Sequence, residues 1–205
     1  MKRALRYGAA SIVPLLLAAG CVMSPATGPV ETSSESRPSP TLAPAVFFEE
    51  GKLIFLAVNT HIARFQLDAE LIPLEIAVAN KRLEQLRLSP EHITLRSLDG
   101  QRWPVASREE STGSSLRSSF DRKTMPVPFI DLVKQRLSNY RYVPSTSALR
   151  GGNIDISRTA ELRRNTWTIS QIWFPNPGGE LKDQLFEVWV DSPELPDPVF
   201  TTIRF

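Results

Sequence analysis

The chain has one cysteine, Cys21, and two histidines in 205 residues. Without a second cysteine there is no intrachain disulfide and no thiolate zinc site, and a lone free thiol is a liability in an oxidising compartment. No GxSxG, HExxH, Walker, CxxC or glycine-rich dinucleotide pattern occurs. His61 follows an apolar run with no Cys, Asp or second His at ligand spacing, so it reads as a packed or surface side chain, and neither a metal nor a cofactor is expected. Charge excess is missing as well. Of the 24 basic residues three, Lys2, Arg3 and Arg6, stand in the first six positions, which leaves 21 against 22 acidic ones. A near-neutral remainder cannot bind nucleic acid by neutralising phosphates, so no nucleic-acid partner is expected. Carboxylate pairs such as Asp68/Glu70 and Glu109/Glu110 acquire catalytic meaning only inside a pocket, and no catalytic residue is assigned. A glycan-processing hydrolase that assembles Asp or Glu in a cleft from distant positions stays open as the alternative.

The long apolar run is also short of a membrane span. From Gly8 to Ala19 no residue is charged, but Pro14 interrupts the stretch and polar sequence follows Cys21, whereas a spanning helix needs about 20 apolar residues. Lys2, Arg3 and Arg6 followed by this run have the layout of a secretory signal, residues 1–20. Leu15-Leu16-Leu17-Ala18-Ala19-Gly20-Cys21 resembles the lipobox of bacterial lipoproteins, with Ala18 where leucine is commonest. The resemblance implies that Cys21 is lipidated on sulfur and becomes the N-terminus after cleavage. Acyl chains on one residue give firm anchoring, since each buried methylene contributes about 0.8 kcal/mol. Val22 after the cysteine, where aspartate signals inner-membrane retention in enteric bacteria, implies the outer membrane.

Residues 21–44 are rich in Ser, Thr, Pro and Gly and almost free of large apolar side chains, so they read as a disordered, proline-stiffened linker. Residues 45–205 have the size of one domain. Phe47 to Phe65 holds one or two strands with a turn at Glu50-Gly51. In Leu71–Asn80, Leu74, Ile76 and Val78 alternate with Glu75, Ala77 and Ala79, the pattern of a half-buried strand, with Pro73 suited to an edge or a strand beginning. Lys81 to Gln85 is a polar connection, and Leu86 and Leu88 lead to a turn at Ser89-Pro90-Glu91. Ile93 and Leu95, Asp99-Gly100, then Trp103 and Val105 predict a hairpin whose return strand Pro104 puts at an edge. Val78-Ala79-Asn80, the polar turn and the Asp99-Gly100 hairpin resemble the immunoglobulin-like sandwiches of extracytoplasmic bacterial lipoproteins. That resemblance implies binding or scaffolding and supplies no catalytic residues.

Farther on, Ser111 to Ser119 reads as a loop, and Phe129, Leu132, Val133, Arg136 and Leu137 recur at helical spacing. An amphipathic helix near 128–139 is therefore expected, as an insertion or as a cover over one end of the sandwich. Tyr140 to Gly152 reads as loop, and Arg158, Arg163 and Arg164 as a solvated face with Glu161. Three strands close the chain: Trp167–Phe174, ended by Pro175-Asn176-Pro177-Gly178-Gly179, then Leu185–Asp191, then Val199–Phe205. The sequence thus predicts a mainly β, immunoglobulin-like antiparallel β-sandwich with one inserted helix. Of its four tryptophans, Trp173 with Phe174, beside Pro175, is the expected exposed aromatic surface for a partner. The function expected is a non-catalytic binding or assembly module, lipid-anchored in the bacterial envelope and engaging another envelope protein or glycan. A pilot or inhibitor protein for an envelope assembly is a variant of the same reading.

Overall fold

The computed structural model describes residues 38–107, 127–144 and 159–205. The signal segment, Cys21, most of the linker, Glu109/Glu110, the loop 111–119 and Arg158 lie outside the described residues. The strands are β1 (Thr41–Ala43), β2 (Val46–Glu50), β3 (Ile54–Asn59), β4 (Leu71–Asn80), β5 (Gln85–Leu88), β6 (Ile93–Ser97), β7 (Arg102–Pro104), β8 (Arg141–Tyr142), β9 (Ala160–Arg163), β10 (Thr166–Pro175), β11 (Leu185–Val190) and β12 (Val199–Arg204); the helix α1 is Phe129–Arg136.

Two sheets pack face to face, in the orders β1-β2-β3-β4-β10-β8 and β12-β11-β6-β7, with a β5-β9 ribbon beside them. All the pairings are antiparallel except β8 with β10. Among the described residues, the expected mainly β antiparallel sandwich with one inserted helix is what forms. Its interior takes the large aliphatic side of each strand: Leu74, Ile76 and Val78 from β4, Ile172 and Phe174 from β10, Val188 and Val190 from β11. Both sheets are linked at their margins. Ser39 N–H donates to the Thr202 carbonyl at 2.9 Å before the chain enters β1 in the other sheet, and Ala106 N–H donates to the Trp173 carbonyl at 2.7 Å just after β7.

The structure corrects four sequence expectations. First, ordered chain begins before residue 44: Thr41–Ala43 pairs with β2 through a turn at Pro44-Ala45, where Ala45 has φ of 71°. Backbone pairing needs no apolar side chain, so a polar stretch can carry it. Second, Pro73 is in an interior strand. β3 ends at Asn59 opposite Glu75, so it no longer flanks Pro73. The Trp173 carbonyl points away from β4, which makes Trp173 and Pro73 a non-hydrogen-bonded pair and turns the proline nitrogen towards the vacated side. Third, α1 covers the outer face of the larger sheet and not one end of the sandwich. Ala57, Ala77 and Ala79 keep that face shallow, and Phe129, Val133 and Leu137 pack there with Phe55, Trp167 and Ile169. Burying a second face explains why β4 is enclosed on both sides although only one side is strongly apolar. Fourth, Arg141–Tyr142, read as loop, is a strand, Gln85, read as connection, opens the strand Gln85–Leu88, and Ala160–Arg163 is a strand that the sequence does not predict.

Asn80, at the end of the Val78-Ala79-Asn80 motif, fastens β4 to this last group. It is fully buried. Its Nδ2 donates to the carbonyls of Leu162 at 2.8 Å and Leu83 at 3.0 Å, and its Oδ1 accepts from Leu83 N–H at 2.9 Å. One amide side chain thus closes the β4–β5 turn and ties it to β9.

Candidate functional site

At one end of the sandwich three connections meet: β3 to β4, the β6–β7 hairpin, and β10 to β11. Each is shaped by identifiable turn chemistry. In the hairpin, Ser97 N–H donates to the Gln101 carbonyl at 3.1 Å and Gly100 N–H to the Ser97 carbonyl at 3.0 Å, with Gly100 at φ of 91°. This is a three-residue loop closed by a left-handed glycine, a longer relative of the two-residue turn that Asp-Gly also suits. In the β10–β11 connection, Gly178 and Gly179 take φ of 81° and 74°. Asn176 Nδ2 donates to the carbonyls of Leu67 and Ala69, both at 2.7 Å, and so fixes this connection to the β3–β4 one.

Between the hairpin and the β10–β11 connection lies an open cleft of about 500 Å³. Its walls include Leu98, Asp99 and Gln101 on one side and Pro177 and Leu181 on the other; Trp103 and Phe186 form its floor. Trp103 is half-buried and meets Phe186 edge-on at 6.0 Å, and Phe186 meets Phe205 at 5.3 Å. These rings seal the end of the core beneath the cleft. Leu98 is 46% exposed at its rim, and Phe65, in the β3–β4 connection at the same end, is 63% exposed. Two large apolar side chains are thus held out on ordered loops at the end of the sandwich that carries the cleft.

Among the described residues Asp99 is the one carboxylate that lines the cleft. Asp99 accepts hydrogen bonds from Ser97 Oγ and from Gln101 Nε2, the latter at 3.1 Å. The Ser97 hydroxyl first, with Gln101 adding to it, holds its carboxyl below the ordinary range. An ionised, hydrogen-bonded Asp99 is an acceptor for a ligand and a poor proton donor. A second cavity of about 260 Å³ lies between Val143, Leu162 and Thr168, with Glu161 as its one carboxylate. Asp68 and Glu70 are exposed in the β3–β4 connection and do not line the cleft. His61 packs edge-on against Phe65 at 5.2 Å.

Trp173 and Phe174 are not the exposed aromatic surface expected of them. They are 3% and 0% exposed. Their strand is flanked by β4 along its whole length, and both of its faces are covered. Phe174 points into the sandwich core; Trp173, next in alternation to Trp167 and Ile169, takes the opposite face. The tryptophans that reach the surface are Trp103, in the cleft, and Trp189, half-buried on the outer face of the smaller sheet. Arg163 and Arg164 are exposed, and Arg164 Nε donates to the Arg82 carbonyl at 3.1 Å. The burial of Trp173 is visible only once the chain packed around its strand is in place, β4 on one side and Ala106 on the other. Trp189 carried a usable signal, since it shares a face of its strand with Glu187, a side chain that seldom faces a core.

No family model matches the chain, and no curated protein sequence does. Two solved structures from Bacillus subtilis are similar in outline. One is a candidate lipoprotein, ycdA, at 10% identity and a TM-score of 0.40; the match covers 77% of this chain and 38% of that one. The other is the yjhA protein, at 7% identity and a TM-score of 0.41, covering 77% of this chain and 95% of that one. Likeness at this level identifies neither residues nor an activity.

Proposed function

We propose that the chain is a lipoprotein of the bacterial envelope, anchored through Cys21, whose sandwich is a non-catalytic binding or assembly module that meets its partner at the loop end. The observation that carries the reading is the cleft floored by Trp103, with Leu98 held out at its rim. The anchor rests on the Leu15–Cys21 motif, and Val22 favours the outer membrane. A binding role needs no more from the cleft than apolar contact and the Asp99 acceptor, whereas hydrolysis by paired carboxylates needs a second carboxylate beside the one that the described residues supply.

Two measurements test the proposal. Labelled fatty acid should enter the wild-type chain and not Cys21→Ala; unlabelled, fully soluble wild-type protein would overturn the anchor. A photo-crosslinking residue in place of Leu98 should capture an envelope protein or glycan in cells, while the same residue in place of Lys52, in the β2–β3 turn, should not. Equal capture at both positions, or none at position 98, would overturn the loop end as the contact surface.

A further inference from the structure

Charge is unevenly placed in the larger sheet. Ile54, Asn80, Thr166 and Arg141 stand side by side in one row across β3, β4, β10 and β8, at the end of these strands remote from the cleft. The turns just beyond that row hold Lys52, Lys81, Arg82 and Arg164, so that with Arg141 five cations line one margin of the sheet. Backbone bonds fix the turns to one another. Lys81 N–H donates to the Leu53 carbonyl and Asn165 N–H to the Asn80 carbonyl, both at 2.8 Å, and Arg141 N–H donates to the Asn165 carbonyl at 2.9 Å. With strands about 4.8 Å apart, the four extend over about 14 Å.

Counter-charge is scarce along this margin. Lys81 Nζ lies 3.2 Å from Glu50, but Arg136 of α1 shares the same carboxylate. Glu84 is the other carboxylate there; counting Arg136, six cations face two acidic groups. Lys52, Arg82, Arg141 and Arg164 are exposed and, among the described residues, have no carboxylate within ion-pair distance. Arg163, just inside β9, shares its face with Glu161 and adds no excess. Glu91, Asp191, Glu194 and Asp197 stand at the same end but on connections of the smaller sheet, a layer about 10 Å away, and Glu194 is paired with Arg87. The loop end shows no such excess. In its connections Asp68, Glu70, Asp99, Glu180 and Asp183 answer Arg64, Lys182 and the strand-end arginines Arg102 and Arg204.

We propose that this margin docks on an anionic phospholipid surface, the one in which the acyl anchor is embedded, and so holds the loop end away from the bilayer. Two observations select that occupant. The cations sit on turn tips spread over about 14 Å, which matches a plane of anionic groups and not one small anion. By the anchor reading, on which this inference rests, such a plane is always within reach: Cys21 and Pro38 are 17 positions apart, at most about 60 Å of chain. Each Lys or Arg brought near an anionic leaflet adds to the attraction, and tethering makes the contact an intramolecular one that weak forces can hold.

Cosedimentation of the mature chain carrying Cys21→Ser tests it, because without an acyl group only the surface of the domain can hold the chain to a vesicle. Vesicles of phosphatidylcholine and phosphatidylglycerol in equal parts should bind it, phosphatidylcholine alone should not, and binding should fall as salt rises. Arg82→Gln and Arg141→Gln, both at exposed positions, should each weaken partitioning about fivefold, the equivalent of about 1 kcal/mol per cation, and the double variant about twenty-five-fold. Their melting temperatures should match that of the parent chain. Lys182→Gln, at the loop end, should leave binding unchanged. Binding to neither kind of vesicle, equal binding to both, indifference to Arg82→Gln and Arg141→Gln, or capture by heparin with none by vesicles would overturn the proposal. Fatty-acid labelling and crosslinking at position 98 are read separately. A chain that binds phosphatidylglycerol through Arg82 but takes up no fatty acid would refute the anchor and leave the lipid-binding margin standing.

Discussion

Asn80 offers the sharpest quantitative test of how the sandwich is closed. Replacing it with alanine removes three hydrogen bonds at once. The bond to the Leu162 carbonyl is wholly buried, and the two to Leu83 are partly so. A buried carbonyl left without a donor costs about 1–3 kcal/mol, and each partly exposed bond contributes about 0.5–1 kcal/mol because water can replace it. The sum is about 3 kcal/mol, a large fraction of the 5–15 kcal/mol typical of a folded domain. In a urea titration of the mature chain with an m-value of about 2 kcal/mol/M, the midpoint of Asn80→Ala should fall by about 1.5 M.

The aspartate variant sharpens the test. Asn80→Asp retains the acceptor for Leu83 N–H but sets a carboxylate oxygen against two carbonyls, so at neutral pH it should be less stable than Asn80→Ala. The same contacts raise the folded-state pKa of the new carboxyl. Its penalty is therefore absent below the unfolded pKa and grows as pH rises, and the gap between the two variants should narrow in acid. A midpoint shift below about 0.5 M for Asn80→Ala, or an aspartate variant as stable as wild type at neutral pH, would refute the role given to this side chain.

Two further predictions concern other parts of the molecule. Trp173→Ala and Phe174→Ala should each destabilise the fold by about 3–5 kcal/mol, as for large buried rings, while Leu98→Asp and Phe65→Asp should leave unfolding midpoints nearly unchanged and abolish partner capture; denaturant titration beside crosslinking separates the two pairs. Glu194 accepts from Ser192 Oγ at 2.5 Å and from Arg87 Nε at 2.6 Å, and these contacts, the serine's foremost, lower its pKa to about 2 from an ordinary 4.5. A depressed carboxyl stabilises the fold above its unfolded pKa and loses that contribution as pH falls through the folded one. The stability gap between wild type and Glu194→Gln should accordingly be constant above about pH 5, shrink between about 4.5 and 2, and vanish below; a gap unchanged by pH would refute the pairing.

Much of this architecture was legible because long strands carry their own period. Leu71–Asn80 has the bounds its alternation predicts, the Asp99-Gly100 hairpin forms, and the spacing of Phe129, Val133 and Leu137 places the helix. The short strands were not legible, since two to four residues contain too few repeats to show a period. Thr41–Ala43, Arg141–Tyr142 and Ala160–Arg163 are strands because a neighbour offers them an edge, which is a tertiary fact.

Sidedness was the deeper loss, and it decided where the aromatic surface was expected. Trp173 and Trp189 both stand in alternating strands beside polar residues, and alternation says only that a side chain shares a face with its second neighbours. Whether that face meets water depends on distant sequence. The outer face of β4 and β10 is roofed by α1, and the alanines of β4 that admit the helix could equally have faced solvent. The face of Trp189 has Arg96, Arg102 and Glu187 as cross-strand company, groups that no apolar helix covers without heavy desolvation. A tryptophan's exposure is therefore better judged from the side chains paired across from it than from its own strand. By that rule Trp189, and not Trp173, is the tryptophan that reaches the surface.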